Sequence, residues 1–253
     1  MSRYSVLTVG KYTVDAAEFF PGIPLVTLLH VEEFGWNRAY RVWASVNVVL
    51  AENGNGAMLL DTGYGSRISG DTLSNYGPDH VTRNLKAQGI TPKEVKTIVC
   101  SNSDIHHYGG LVRMNRKGNM EPVFRRAKVY VPDDYSNGHD ASILYEVASV
   151  THATELLCGI QMLPTDMGLF ILTHVGGEVI AIPGHLAPSW THLTLGTCPM
   201  YRGFDIEEVR GRQEELLRNA ENHGWLLVFT HGREASSGYV RRTRDGWVLR
   251  KVS

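Results

Sequence analysis

A short segment of the chain carries several side chains that can bind a metal ion. They stand within six residues of one another: Asn102, Asp104, His106 and His107. Imidazole and carboxylate groups are common protein ligands of zinc, iron and manganese, and tight spacing in one loop lets several of them reach the same ion. Gly109 and Gly110 follow, where they allow the backbone to turn sharply. The segment therefore predicts a metal site rather than a merely structural loop.

Two further histidines end apolar runs of strand length in the same way. His185 stands directly beyond one such run and His231 beyond another. Histidines at three strand ends are what a metal site at one edge of a sheet requires. We therefore predict that His106, His107, His185 and His231 bind metal. Asp104 has three open roles, as a further ligand, as the orienting partner of a histidine, or as a general base.

Apolar periodicity indicates the elements that must position these residues. Strands are predicted at residues 4–9, 25–31, 42–50, 57–60, 95–100, 128–131, 179–182, 225–229, 239–241 and 247–252. The run from Asn53 to Gly56 predicts a hairpin turn. Helices are predicted at residues 79–88 and 205–222, the second with Asp205 as its N-cap and Gly224 beyond its end. Residues 133–158 are ambiguous, and a partly helical segment is expected there.

Composition narrows the class of protein and its partners. The 253 residues carry a formal net charge of −1 and are 43% hydrophobic, which is typical of a globular protein. Because Lys and Arg are scattered, we expect neither nucleic acid nor membrane as a partner. A homodimer remains open. No signal peptide is evident, no apolar stretch reaches membrane-spanning length, and three cysteines form no C-x-x-C motif, so a cytoplasmic setting is expected.

The order and spacing of several segments resemble the metallo-β-lactamase superfamily, in particular its lactonase-like and hydrolase-like branches. The segments that carry the resemblance are residues 46–47, 59–63, 89–101, 107–110 and 184–231. The resemblance covers residues 40 to 235. It implies an α/β fold, a four-layer αββα sandwich with the metal at one edge, in a single domain that spans residues 1–253. It also implies that Asp61 anchors the site loops and does not bind metal.

The metal motif departs from the pattern of that superfamily. The usual His-x-His-x-Asp-His loop reads Asn102-x-Asp104-x-His106-His107, so only the last histidine keeps its identity. In the alignment that we prefer, a later family histidine falls near Asp166 and the bridging aspartate falls on His185. A rival alignment makes His185 the later histidine and Asp205 the bridging carboxylate.

These departures imply one tightly held divalent ion, zinc or iron, instead of two. Compared with the superfamily pattern, the residues expected to bind the first metal ion are no longer histidines, whereas histidines have been added among those expected to bind the second. A second ion would depend on Asn102, Asp104 and Asp166, which is a weak oxygen-rich set. We therefore expect the second ion to be weakly bound or absent.

The resemblance implies a metal-dependent hydrolase of a small-molecule ester, lactone, thioester or amide. We assign Asp104 as the proton acceptor and Tyr108 as a hydrogen-bond donor to the developing oxyanion. Trp190, His192 and Tyr201 are predicted to line the substrate pocket. Two alternatives stay open: a redox enzyme of the Fe(II)/O₂ type, since several imidazoles around one ion also suit that chemistry, and a degenerate member that binds a ligand without catalysis.

Overall fold

Two β-sheets form the centre of the protein in a computed structural model. The structure describes residues 3–31, 40–53, 56–65, 80–133, 145–156, 159–199 and 205–252. The predicted pocket residue Tyr201 lies outside these ranges.

The first sheet has strands in the order β1-β2-β3-β4-β7-β8. Its strands are β1 (Arg3–Asp15), β2 (Arg41–Asn53), β3 (Gly56–Leu60), β4 (Val95–Val99), β7 (Lys128–Pro132) and β8 (Val147–Val150). The pairing of Asn53 with Gly56 confirms the predicted hairpin between β2 and β3. From β3 to β8 the neighbouring strands run parallel. The carboxyl ends of β3 and β4 therefore lie at the same edge of the sheet.

The second sheet has the order β15-β14-β13-β12-β11-β10-β9. Its strands are β9 (Thr154–Leu156), β10 (Ile160–Thr165), β11 (Gly168–Val175), β12 (Glu178–Ile182), β13 (Leu226–Val228), β14 (Ser237–Thr243) and β15 (Gly246–Lys251). Only β12 and β13 pair in parallel among these described strands, so His185 and His231, which follow them, start from one edge. A small separate ribbon pairs β5 (Val112–Met114) with β6 (Met120–Pro122).

Helices and short helical turns cover the two sheets. They are α1 (Ala16–Phe19), α2 (Leu25–Leu28), α3 (His80–Ala87), α4 (Ile105–Tyr108), α5 (Trp190–Leu195) and α6 (Ile206–His223). Asp205 caps α6 as predicted, because its Oδ1 accepts a hydrogen bond from the backbone N–H of Glu207 at 3.0 Å. None of the helices in the described ranges combines the length and the apolar character that crossing a membrane requires.

One prediction of secondary structure is wrong. Residues 25–31 begin with helix α2 and do not form a strand; Pro24 precedes the helix as its N-cap residue. An apolar run as short as this does not by itself distinguish a strand from a buried helical turn. Within residues 133–158, the described part forms strands β8 and β9. Residues 134–144 and 157–158 lie outside the described ranges, so the expected helical portion stays a prediction.

The hydrophobic core has three layers, which confirms the predicted αββα arrangement. Val49, Leu60 and Val99 of the first sheet pack against Ile171 and Ile180 of the second in the layer between the sheets. A second cluster packs the outer face of the first sheet against α1 and α3. A third packs α6 and α5 on the outer face of the second sheet. Alternation of side chains along each strand supplies both faces of each sheet.

Candidate metal centre

Three histidines from separate parts of the chain meet at one edge of the two sheets. His107 lies in α4 beyond β4, His185 follows β12, and His231 follows β13. One ring nitrogen from each lies within 4.8 Å of the other two. Nε2 of His107 is 3.2 Å from Nε2 of His185. Two nitrogens bound to one zinc ion at tetrahedral angles are about 3.3 Å apart, so this spacing matches a shared ion.

Asp61 and Ser101 fix the orientation of His107. Nδ1 of His107 donates to Oδ2 of Asp61 at 2.9 Å, which leaves Nε2 to face the other two histidines. Asp61 also accepts from the backbone N–H and the hydroxyl of Ser101, at 2.6 and 2.7 Å. Asp61 has a φ of 66°, a strained conformation for a non-glycine residue. The expected anchoring role of Asp61 therefore agrees with these contacts.

Strand β2 of the first sheet holds the segment that carries His231. Nδ1 of His231 donates to the backbone oxygen of Ser45 at 2.9 Å, so Nε2 is directed to the other histidines. The amide of Asn47 donates to the backbone oxygens of Phe229 and Gly232 at 2.8 and 2.7 Å. Buried Asn47 thus holds the loop by hydrogen bonds on both sides of His231.

His185 lies in a tight 3-10 turn, Gly184–Leu186. Its backbone N–H donates to the oxygen of Met167 at 3.3 Å. Gly184 has a φ of 59°, a conformation that costs glycine little. The side chain of His185 is 12% exposed, and Oδ2 of Asp104 lies 3.7 Å from its Nε2. The three histidines are therefore reached from the side on which Asp104 stands.

Burial and neighbouring charges shift the pKa values of the three histidines in different directions. Burial would lower the pKa of His107, but the carboxylates of Asp61 and Asp104 outweigh it and raise that pKa. Burial lowers the pKa of His185 and of His231 well below the usual value, and the positive charge of a protonated His107 lowers both further. Two imidazoles held neutral beside a carboxylate-oriented third are suited to donate lone pairs to a divalent ion.

The two glycines after the cluster allow close contact with the neighbouring loop. A Cβ atom on Gly109 would stand 2.0 Å from the backbone oxygen of Tyr64, and one on Gly110 would stand 2.2 Å from that of Thr62. The backbone N–H of Thr62 donates to the oxygen of His107 at 2.7 Å. Glycine is needed at both positions because α4 packs directly against the loop that follows β3.

His106 lies beside the three histidines and outside their mutual 4.8 Å set. Its ring lies 4.5 Å from the ring of Tyr12 and 4.4 Å from that of Tyr64, measured between centroids. Burial and the charge of His107 lower the pKa of His106 to about 3. The structure therefore does not bring the predicted ligand His106 together with the other three.

Asp104 and Tyr108 occupy different surroundings. The carboxylate of Asp104 is 56% exposed at the rim of the histidine cluster, within reach of His185 and open to solvent. Tyr108 is 5% exposed and belongs to the hydrophobic cluster on the outer face of the first sheet. The position of Asp104 suits a proton acceptor or a peripheral ligand. The predicted catalytic role of Tyr108 has no comparable support from its surroundings and stays a prediction.

The structure does not support the predicted pocket roles of His192 and Trp190. His192 is fully buried: its Nδ1 lies 2.7 Å from the hydroxyl of Ser189, and its Nε2 lies 2.8 Å from the backbone oxygen of Phe19. With both ring nitrogens engaged, His192 acts as a core residue. Trp190 packs against the cluster under α6 on the outer face of the second sheet.

Two of the three oxygen ligands expected for a second ion, Asp166 and Asn102, are directed elsewhere. Asp166 is 65% exposed, with its carboxylate 3.5 Å from the guanidinium of Arg212. Oδ1 of Asn102 accepts from the backbone N–H of Asp104 at 3.0 Å. Asp205, the bridging residue of the rival alignment, caps α6. These contacts favour the alignment in which His185 takes the bridging position.

Sequence reasoning missed four residues around the histidines: Tyr12, Ser45, Asn47 as a loop anchor, and Tyr64. Tyr12 is 7% exposed, and its ring stands 5.3 Å from that of His231 at an angle of 79°. The residues come from strands β1 and β2 and from the loop after β3. No local sequence pattern predicts that these segments reach the histidines, because the contacts depend on how the sheets pair.

Comparison with known proteins agrees with the fold. Residues 41–139 match the family model described as the metallo-beta-lactamase superfamily. A probable metal-dependent hydrolase from Staphylococcus aureus has a TM-score of 0.79 at 17% identity, and the alignment covers 100% of this chain and 98% of that one. This chain therefore has the metallo-β-lactamase fold.

Two further solved structures are similar over more than nine-tenths of their length. The dizinc quorum-quenching lactonase AidC, determined with a homoserine product, has a TM-score of 0.71 at 13% identity, with 100% of this chain and 95% of AidC covered. The hydrolase AbOPH of the β-lactamase superfamily has a TM-score of 0.72 at 16% identity, with 100% and 94% covered. At such identities the likeness establishes the fold.

Proposed function

We propose that this protein is a metal-dependent hydrolase that binds one divalent ion through His107, His185 and His231. The observation that carries the proposal is the convergence of three ring nitrogens within 4.8 Å, from three strand ends. Three imidazoles are a common donor set for a catalytic zinc, which leaves a fourth position for water or substrate. A bound ion would lower the pKa of a water molecule and polarise a scissile carbonyl.

The residues of the chain would divide the remaining work. His107 is oriented by Asp61, and His231 by the backbone oxygen of Ser45. The carboxylate of Asp104, exposed beside His185, would accept a proton from the attacking water and pass it to the leaving group. Because Asp104 alone of these residues is widely exposed, we infer that the substrate enters from its side.

The proposed substrate class is a small molecule with an ester, lactone, thioester or amide bond. Support comes from the fold shared with a quorum-quenching lactonase and with hydrolases. The single-metal version is supported by the contacts that turn Asp166 and Asn102 elsewhere. Zinc is the ion named for AidC, whereas three imidazoles and a nearby carboxylate also suit iron.

Elemental analysis of the purified protein, combined with three alanine variants, tests this proposal. His107→Ala and His231→Ala should lose the bound metal and the hydrolysis of N-acyl homoserine lactones or aryl esters. His174→Ala on β11 is the matched control, since it removes an exposed imidazole from the same fold. Retention of a full equivalent of metal in either site variant would reject the proposed centre.

A redox function is the second candidate, favoured by the same set of three imidazoles with a carboxylate at the rim. Iron in the purified protein together with substrate-dependent consumption of O₂ would select it over hydrolysis. A metal-free protein that is thermally stabilised by a small molecule would instead indicate a ligand-binding member without catalysis.

A further inference from the structure

His106 is held between two tyrosines at the border of the histidine cluster. The centroid of the Tyr12 ring lies 4.5 Å from that of His106 with the planes tilted by 33°. The centroid of the Tyr64 ring lies 4.4 Å from that of the His106 ring, and the two planes meet at 69°. The two tyrosine rings contact each other edge to face at 5.6 Å. Centroid distances of this size are those of favourable aromatic pairs, so the three rings form one packed unit.

The packed unit directly adjoins the proposed metal centre. The His106 ring lies 5.8 Å from the ring of His231, only slightly farther than the 5.3 Å between His107 and His231. Yet His106 is not among the described residues whose ligand atoms converge within 4.8 Å. The His106 ring is therefore close enough to the metal centre to reach it, and its orientation and packing keep it outside the set of ligands.

Tyr12 contacts both the excluded histidine and a proposed ligand. Its ring meets that of His231 at 5.3 Å and 79°. Tyr12 and Tyr64 are only 7% and 6% exposed, and both belong to the hydrophobic cluster of the first sheet. Their rings cannot move away without disturbing that cluster. The tyrosine pair is thus a rigid wall on the side of His106.

We propose that Tyr12 and Tyr64 are positioning residues that hold His106 out of the coordination sphere and so fix the number of protein ligands at the metal. This inference rests on the proposed metal centre. Without the wall, His106 would turn toward the ion that His107 and His231 bind and would become a fourth imidazole ligand. The wall would thereby keep a coordination position open for water and substrate.

Cobalt(II) provides the test, because its visible absorption spectrum changes with the identity and the number of the ligands that bind it. The protein is loaded with Co²⁺ as wild type, Tyr12→Phe, Tyr12→Leu, His106→Ala, and the double variant Tyr12→Leu/His106→Ala. Wild type, Tyr12→Phe and His106→Ala should share one spectrum. The phenyl ring of Tyr12→Phe still holds His106 away from the ion, and His106→Ala has no imidazole at that position. Tyr12→Leu should show a changed visible spectrum, and the double variant should regain the wild-type spectrum.

Three results would overturn the inference: an unchanged spectrum in Tyr12→Leu, a change that persists in the double variant, or an altered spectrum in His106→Ala alone. If Tyr12→Leu fails to fold by circular dichroism, Tyr64→Leu with and without His106→Ala decides by the same outcomes. Wild-type protein that takes up no cobalt would reject the metal centre itself. That failure is distinct from binding of cobalt with no effect of the tyrosine wall.

Discussion

Oδ2 of Asp61 accepts a hydrogen bond from Nδ1 of His107 at 2.9 Å, and both side chains are almost completely buried. The bond fixes which nitrogen of His107 faces the other histidines. A histidine that binds a metal commonly has such a carboxylate partner, which raises its basicity and holds its ring. The geometry at Asp61 therefore leads directly to a prediction about metal affinity.

Asp61→Asn should weaken metal binding by about 10- to 100-fold, because the neutral amide supports the ring of His107 less strongly. Competition with a chromophoric chelator measures the affinity. Asp166→Asn is the matched control, since that carboxylate is exposed and directed to Arg212. Equal affinity of Asp61→Asn and wild type would show that metal binding does not depend on the bond between Asp61 and His107.

Asn47→Ala should destabilise the protein by about 2–4 kcal/mol and weaken metal binding, because two backbone oxygens around His231 lose their donor in a buried place. Urea unfolding measures the first effect and chelator competition the second. Thr8→Val removes only the hydroxyl that donates to Oδ1 of Asn47. It should cost about 0.5–1.5 kcal/mol, and a larger loss there than in Asn47→Ala would contradict the assignment.

Gly109→Ala should unfold or severely destabilise the protein, by roughly 3 kcal/mol or more, because its Cβ would stand 2.0 Å from the oxygen of Tyr64. Thermal unfolding measures the loss. Gly211→Ala in α6 is the control: a Cβ there meets nothing within 4 Å, and alanine should stabilise the helix by about 0.5–1 kcal/mol. A well-folded Gly109→Ala variant with bound metal would disprove the close contact.

His192→Phe should flatten the dependence of stability on pH. Burial lowers the pKa of His192 to about 3 from its ordinary 6.5, so the unfolded chain binds a proton there that the folded protein does not. Stability from this group is complete above pH 6.5 and is lost as the pH falls toward 3, by about 1.4 kcal/mol per pH unit.

The phenylalanine variant should be less stable than wild type at pH 7, by about 1–3 kcal/mol, because the hydroxyl of Ser189 and the oxygen of Phe19 lose a partner. The difference should shrink and then reverse in sign as the pH falls from 6.5 to 4, as measured by urea unfolding at each pH. His152→Phe, at an exposed position, controls for replacing an imidazole by a phenyl ring. A difference that stays constant would refute the role of His192.

The sequence predicts the central strands well because each is a buried apolar run that ends in polar or glycine residues. The strands before Asp61 and before Ser101 are examples, and the histidines that follow two other runs indicate the edge at which a site forms. Strand β1 is longer than predicted, Arg3–Asp15 in place of residues 4–9. Its pattern is hidden because exposed Thr8 and Lys11, together with a bulge between Thr8 and Gly10, interrupt the alternation of buried positions.

The positions of several predicted site residues depend on partners that are distant in sequence. His192 is fixed by the backbone oxygen of Phe19, which is 173 residues away in sequence, and His231 by that of Ser45, which is 186 residues away. His106 and His107 are adjacent in sequence, but the ring of His106 packs against Tyr12 on strand β1, whereas that of His107 is hydrogen-bonded to Asp61. Residue type and local spacing carry no information about such contacts.

The three converging histidines begin from different halves of the sandwich. His107 extends from the first sheet, whereas His185 and His231 extend from the second. An ion bound by all three histidines would cross-link the two halves of the sandwich at the edge where the histidines meet. Resistance to unfolding would then follow the free metal concentration, with a gain of about 4 kcal/mol at a thousandfold excess over the dissociation constant. Starvation for metal would thus make the protein vulnerable to proteolysis as well as inactive.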